Sequence, residues 1–380
     1  MISIANRLNT VKEYYFSIKL REVRNLINKG KPIINLGIGS PDLEPPSEVI
    51  HALNNANVHG YQNYQGIPEL RKAIADFYKK HYHVRLNTTN EILPLMGSKE
   101  GILHISMAYL NIGDEVLIPN PGYPTYTSVT NLVQAKPIFY DLVEENNWQP
   151  NLEALDKLNL SKVKIMWVNY PHMPTGSNPS NNLFEKLIAF AKKHDILIVN
   201  DNPYSFILNS NPKSILSVKG ANDVAIELNS LSKTFNMSGW RVGMVVGNEK
   251  YLNNILKVKS NMDSGMYYGI QQGAIAALNL SNQWFDQINS IYAKRRKIIW
   301  NICDEINCIY DKNSTGLFVW AKIPNGKTSN EVCDELLYNY DVFITPGNIF
   351  GSNGEGYIRF SLCVSEDKIQ EVLTRVSKNK

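Results

Sequence analysis

Between Asn90 and Val246 of this 380-residue chain, short runs rich in Val, Ile and Leu alternate with longer amphipathic stretches. The apolar runs are Glu91–Leu95, Glu115–Ile118, Val163–Asn169, Ile196–Asp201, Val224–Asn229 and Val242–Val246. Helical periodicity marks Gly101–Leu110 and Leu183–His194. Strands of near-continuous apolar sequence need cover on both faces, and intervening helices supply it. The pattern predicts an α/β fold whose mostly parallel sheet is covered by helices on both faces. Ligands of such sheets sit beyond the carboxyl ends of the strands. Gly97, Asp201 and Lys233 each fall just after one of these runs, so one cleft can collect them.

The tail has a different character. A long helical pattern runs from Trp284 to Ile306. Strands are expected at Gly316–Ile323, Val342–Pro346 and Gly356–Leu362, and helices at Asn330–Tyr340 and Ser365–Ser377. Thr328-Ser-Asn-Glu331 has the form of a capping box for the first of these two helices. The expected division is an N-terminal arm (1–46), a large domain (47–283) and a smaller α+β domain built from 284–380 with part of the arm.

Composition narrows the function. Net charge is 39 − 35 = +4, without a long basic block, which argues against nucleic acid as a partner. The short run Lys294-Arg-Arg-Lys297 reads as a solvated helix face. Four cysteines lie at neither disulfide-framework nor metal-site spacing, which points to a reducing compartment. No apolar run is long enough to span a bilayer, and the first residues lack a secretory h-region. A cytoplasmic protein with no membrane partner is expected.

Several residues carry chemistry. In Ser230-Leu-Ser-Lys-Thr-Phe-Asn-Met-Ser-Gly-Trp-Arg241, an amine and a guanidinium share one local unit. A lysine beside other cations in a desolvated site has an activated amine, suited to a carbonyl and to proton transfer. Asp201 ends an apolar strand, and Tyr204 follows three residues later; the carboxylate suits a protonated ring nitrogen and the phenol an anionic oxygen. Gly97, Ser98 and Lys99 open a helix, where backbone N–H groups favour a phosphate. Asn120-Pro-Gly-Tyr-Pro-Thr-Tyr126 is a rigid turn that presents the Tyr123 ring for stacking. Arg359 lies within an apolar strand and needs a partner, for which a carboxylate is the natural choice. Each fragment alone also has a bland reading as a turn, a cap or a structural ion pair.

Taken in order, these fragments resemble the pyridoxal-phosphate-dependent aminotransferases of class I/II, the aspartate aminotransferase superfamily. The resemblance runs from Asn35-Leu-Gly-Ile-Gly-Ser-Pro-Asp42 through Tyr61-x4-Gly66-x3-Leu-Arg71, Gly97-Ser-Lys-Glu-Gly101, Pro121-Gly-Tyr-Pro124, Pro174-Thr-Gly176, Asp201-x2-Tyr204 and Ser230-x2-Lys233-x7-Arg241 to Arg359. It implies pyridoxal 5'-phosphate as cofactor, with Lys233 as Schiff-base lysine and acid/base. Asp201 would bind the ring nitrogen, Tyr204 the phenolic oxygen, and Tyr123 would stack on the ring. Gly97, Ser98, Ser230 and Arg241 would hold the phosphate, with Tyr61 reaching across from the other subunit of a homodimer. Arg359 would clamp the substrate carboxylate, helped by the backbone near Gly39.

One position departs from the family. In Asn169-Tyr-Pro-His-Met-Pro-Thr-Gly176, Met173 replaces an asparagine that donates to the phenolic oxygen, and a thioether cannot donate. That leaves Tyr204 as the main donor. Lys99 is a candidate second cation for substrate, and the cluster Tyr14-Tyr15-Phe16 places aromatic rings, Tyr15 included, among the expected substrate contacts. The implied reaction moves an amino group between an L-amino acid and a 2-oxo acid by a ping-pong route. A pyridoxal-phosphate lyase on the same fold is the alternative.

Overall fold

The structure, a computed structural model, describes residues 2–180 and 182–378. The helix Tyr15–Asn28 leads into a short strand, β1 (Ile34–Asn35). Seven strands then form the large sheet: β2 (Ile92–Leu95), β3 (Glu115–Asn120), β4 (Lys136–Asp141), β5 (Val163–Val168), β6 (Leu197–Asp201), β7 (Ala225–Ser230) and β8 (Gly243–Gly247). Their order is β2-β8-β7-β6-β5-β3-β4. Every pair is parallel except those made by β8, which runs antiparallel to both β2 and β7.

Alternate residues of the central strands enter opposite cores. Ile165, Trp167, Leu197 and Val199 pack with Ile102, Ile105, Leu252 and Ile255 on one face. Met166, Val168 and Ile198 pack with Leu183, Leu187 and Ile188 on the other. Both faces are therefore dry, which is why these strands read as apolar runs rather than as alternating ones. The edge strand β4 escaped the sequence reading. It bonds only to β3, carries Pro137, and leaves Phe139 exposed, so its apolar signal is interrupted.

The remaining strands are β9 (Ile309–Tyr310), β10 (Phe318–Lys322), β11 (Val342–Phe343), β12 (Thr345–Pro346) and β13 (Tyr357–Ser361). Four of them form an antiparallel sheet in the order β12-β13-β10-β9. The expected strand Val342–Pro346 is split: β11 pairs in parallel with β1, while β12 pairs with β13. Their core takes in Leu36 from the arm, Ile288, Tyr292, Ile299 and Ile302 from the helix Asn282–Glu305, and Met173, Tyr204 and Ile207 from the side of the large sheet. The capping box is present, with Thr328 Oγ1 accepting from Glu331 N at 3.2 Å and Glu331 Oε2 accepting from Thr328 N at 2.7 Å.

The basic run at Lys294–Lys297 is not simply a solvated face. Arg295 is buried and makes a two-pronged pair with Asp42, at 2.6 and 2.9 Å, which ties the arm to the long helix. Arg296 donates to the Ser314 carbonyl at 2.6 Å. No helix among the described residues is long and apolar enough to cross a membrane.

Candidate active site

Strand direction gathers the site. The carboxyl ends of β2, β6 and β7 lie at one edge of the large sheet. Because β8 is antiparallel, its beginning lies there too: Gly243 is opposite Leu95 on one side and Ser230 on the other. The chain just before β8 carries Arg241, which takes a left-handed backbone conformation with φ of 59°. Arg241, Ser230 and the turn after β2 are therefore held side by side by sheet register.

A cavity of about 620 Å³ opens at this edge. Its lining includes Gly39, Ser98, Lys99, Tyr123, Asp201, Tyr204, Ser230, Lys233, Arg241 and Arg359, ten of the residues singled out from the sequence. Gly97 stands immediately behind, with φ of 91°, and a Cβ there would lie 2.2 Å from Arg241 Nη2. Only glycine lets the guanidinium lie against the turn that opens the helix Ser98–Tyr109.

Lys233 lies in the short helix Leu231–Thr234, begun by Ser230, whose Oγ accepts from Ser232 N at 3.1 Å. Its ammonium donates to the Gly39 carbonyl. Burial lowers the Lys233 pKa, and the nearby Arg359 and Arg241 charges push the same way, against an opposing effect of Cys363. An amine in such surroundings gives up its proton more readily than a surface lysine.

Asp201 is 5 % exposed. Its Oδ2 accepts from Tyr126 Oη at 2.8 Å, and the Tyr126 ring stacks on Trp167 with centroids 4.9 Å apart. Its Oδ1 is buried without a hydrogen-bond partner. Burial raises the carboxyl pKa to about 7; the Tyr126 bond opposes this and the Glu227 charge adds to it. A bare carboxylate oxygen inside a protein is a costly arrangement unless a ligand meets it.

Arg359, on β13, is 4 % exposed. Its guanidinium donates to the Gly37 carbonyl at 2.9 Å and to Met173 Sδ at 3.4 Å, and it lies over the Phe318 ring at 3.9 Å. Its Nε has no partner, and burial pulls its pKa down to about 10. These partners are a carbonyl, a thioether and an aromatic face. None is a carboxylate, so the structural ion pair does not form. The cavity lining thus carries four cations, Lys99, Lys233, Arg241 and Arg359, against one acid, Asp201. That balance suits ligands with several negative charges.

Two of the singled-out residues lie elsewhere. Tyr15, expected to touch substrate, is not part of the cavity lining; Tyr14 and Phe16 are. The Tyr15 ring meets the edge of Phe16, with centroids 5.5 Å apart, but lies outside the cavity, near Glu22, Cys333 and Asp334. Tyr61 is also outside the cavity and 93 % exposed. Sequence reasoning in turn passed over Tyr126 and Asn169. Tyr126 sits one helical turn after Tyr123, and that i, i+3 spacing was the available signal. Asn169 lines the cavity, and its Oδ1 accepts from Met173 N at 2.8 Å.

The chain matches the family description "Aminotransferase class I and II" over residues 31–376. It is 39% identical over 386 residues to an LL-diaminopimelate aminotransferase of Aquifex aeolicus, with 100% of both chains covered. It is 40% identical over 382 residues to the enzyme of that name from Maridesulfovibrio salexigens, covering 99% of this chain and 98% of the relative. Among solved structures it is similar to apo-BacF from Bacillus subtilis, with a TM-score of 0.95, 36% identity, and 100% and 98% of the two chains covered. These relatives support transamination and not the lyase alternative. The chain belongs to the class I and II aminotransferases, and it is an aminotransferase.

Proposed function

We propose that this aminotransferase uses pyridoxal 5'-phosphate and takes LL-diaminopimelate as amino donor, with a 2-oxo acid as acceptor. The observation that carries the cofactor is Asp201: one oxygen is held by Tyr126, and the other is buried and bare beside a cavity containing a buried lysine. A protonated pyridine nitrogen is the partner that such an oxygen lacks. The same cavity offers the opening of the helix at Ser98, with Ser230 and Arg241, for a phosphate. Tyr123 provides a ring face and Tyr204 a phenol. The donor set therefore fits the cofactor. When bound, the cofactor supplies the carbonyl that takes up the amino group and the ring that accommodates the electron pair left at the α-carbon.

The protein's own part follows from the geometry. Arg359 offers its open Nε edge to the substrate α-carboxylate, with the Phe318 face and the Gly37 carbonyl fixing its plane. Lys233 Nζ, kept easily deprotonated by burial, would hold the cofactor through its carbonyl and would carry the proton taken from the substrate α-carbon. Lys99 Nζ stands 4.4 Å from the Tyr14 ring centroid and lines the same cavity, where it gives a second carboxylate a cation. A substrate with an amino-carboxylate group at each end matches that pair of cations. The relatives' names support the same donor.

The proposal includes a homodimer, in which the exposed Tyr61 reaches the phosphate of the neighbouring site. It also includes the division into arm (1–46), large domain (47–283) and small domain (284–380), whose closure would exclude water from the reacting carbon. The four cysteines, all buried and unpaired, support a cytoplasmic location.

The test is an absorbance experiment on the cofactor-loaded protein with single amino acids and no acceptor. LL-diaminopimelate should convert the lysine-bound chromophore to the amine form and release one equivalent of keto acid. Release of ammonia with an unchanged chromophore, or conversion by other amino acids only, refutes the proposal. Lys233→Ala should lower turnover by more than about 10⁴-fold, the combined loss of the nucleophile and the acid/base.

A further inference from the structure

Behind the turn at Gly97, a second cluster of donors lies apart from the cavity. Glu100 and His104 are four residues apart on the helix Ser98–Tyr109, so they share one face. Asp263 joins them from the loop after the helix Glu249–Lys259. One donor atom from each lies within 4.8 Å of the others. None of the three lines the cavity described above.

His104 is 1 % exposed, and neither of its ring nitrogens makes a hydrogen bond. Nε2 stands 3.2 Å from Glu100 Oε1, which is contact without bonding geometry. Each carboxylate is anchored by one oxygen. Glu100 Oε2 accepts from Met96 N at 2.7 Å. Asp263 Oδ1 accepts from Lys259 Nζ and from Gly265 N, both at 2.8 Å. The other oxygen of Asp263, Oδ2, is buried without a partner. A buried imidazole and a buried carboxylate oxygen, both without partners within one cluster of donors, are not what ordinary packing produces.

We propose that Glu100, His104 and Asp263 bind a divalent transition-metal ion of the zinc type. One imidazole nitrogen with two carboxylate oxygens suits zinc better than magnesium, which prefers oxygen ligands and retains its waters. Four ligands on a tetrahedral shell of about 2.1 Å lie about 3.4 Å apart, so closure of the three donors by up to about 1.4 Å completes the site. A water fills the fourth position. Met96 N, Lys259 and Gly265 N already orient the carboxylates, as outer partners of metal ligands do. The ion offsets the charge of two carboxylates that Lys259 alone only half balances.

The site is structural. It joins the helix that opens at the cavity to the loop carrying Gly265, where φ is 87° and a Cβ would lie 2.4 Å from the Gln62 carbonyl oxygen. The bound ion therefore fixes the turn Gly97–Lys99 relative to the segment next to Tyr61.

The experiment uses the cofactor-loaded enzyme, stripped with a chelator, desalted and titrated with Co²⁺ and then Zn²⁺. The expected result is one Co²⁺ per chain with visible d–d bands, displaced by Zn²⁺, and a raised thermal midpoint. His104→Gln and Asp263→Asn should each weaken binding at least tenfold and remove the bands. If His104→Gln fails to fold, Asp263→Asn decides. Absence of the bands in the unaltered enzyme, or binding equal in the enzyme and both variants, overturns the assignment.

Discussion

Asp201→Asn separates the cost of the buried carboxylate from its use. The folded pKa of Asp201, about 7, lies above its ordinary value of 3.8, so the folded cofactor-free protein holds this proton where the unfolded chain has released it. Stability from the site is full below pH 3.8 and is lost as pH rises through about 7. At about 1.4 kcal/mol per pH unit, that interval corresponds to roughly 4 kcal/mol, of which roughly 3 kcal/mol is lost between about pH 5 and pH 8. Asparagine has no such dependence, and its carbonyl oxygen still accepts from Tyr126. The constant cost of the new amide cancels when the two proteins are compared at both pH values. Urea unfolding of the two cofactor-free proteins at each pH supplies the comparison. The unaltered protein should lose roughly 3 kcal/mol relative to the variant on going to the higher pH. Parallel behaviour of the two would show that Asp201 does not titrate in the folded protein as its burial requires. With cofactor added, the order should reverse, because the ring cation then pairs with the carboxylate and not with the amide.

Other positions give independent checks. Gly97→Ala places a methyl 2.2 Å from Arg241 Nη2 on a backbone with φ of 91°, so cofactor dissociation measured by fluorescence should increase by about tenfold, at roughly 1–2 kcal/mol of strain; unchanged affinity would separate Arg241 from the phosphate. Met173→Asn keeps an acceptor for Arg359 Nη1 and adds an N–H donor beside Tyr204. The pH midpoint of the lysine-bound chromophore should fall by about one unit for a hydrogen bond worth roughly 1.5 kcal/mol, and a midpoint that stays put refutes the assignment. Thr328→Ala removes the Oγ1 acceptor from the capping box of the helix Ser329–Tyr340 and should cost about 1 kcal/mol in urea unfolding, with no change in the cofactor spectrum.

Much of the site was legible because it is built from sequence-local units at strand ends. Lys233 and Arg241 flank one turn, Gly97 and Ser98 open one helix, and Asp201 ends one strand. Each unit has its own chemical signature, and a mostly parallel sheet brings such ends to one edge wherever the strands fall in the order. The helix Leu183–His194 was foreseen to the residue, because one face packs on the sheet and the other meets water.

What remained hidden depends on direction and partner choice. Periodicity shows that a strand is buried but not which way it runs, so the antiparallel β8 that seats Arg241 beside Gly97 emerges only from the sheet. Three consecutive aromatics look equivalent in sequence, yet the rotation at the start of a helix sends Tyr14 and Phe16 into the cavity and Tyr15 away. The pairs Asp201–Tyr126, Arg359–Met173 and Arg295–Asp42 join residues 75, 186 and 253 positions apart. The amino-acid sequence by itself determined six of the seven strands of the large sheet, several of the helices and the chemical groups available, because local patterns of burial and turn chemistry are written in neighbouring residues. Only the tertiary structure decided which of those groups are left without partners, because satisfaction of a buried polar atom is a property of everything packed around it.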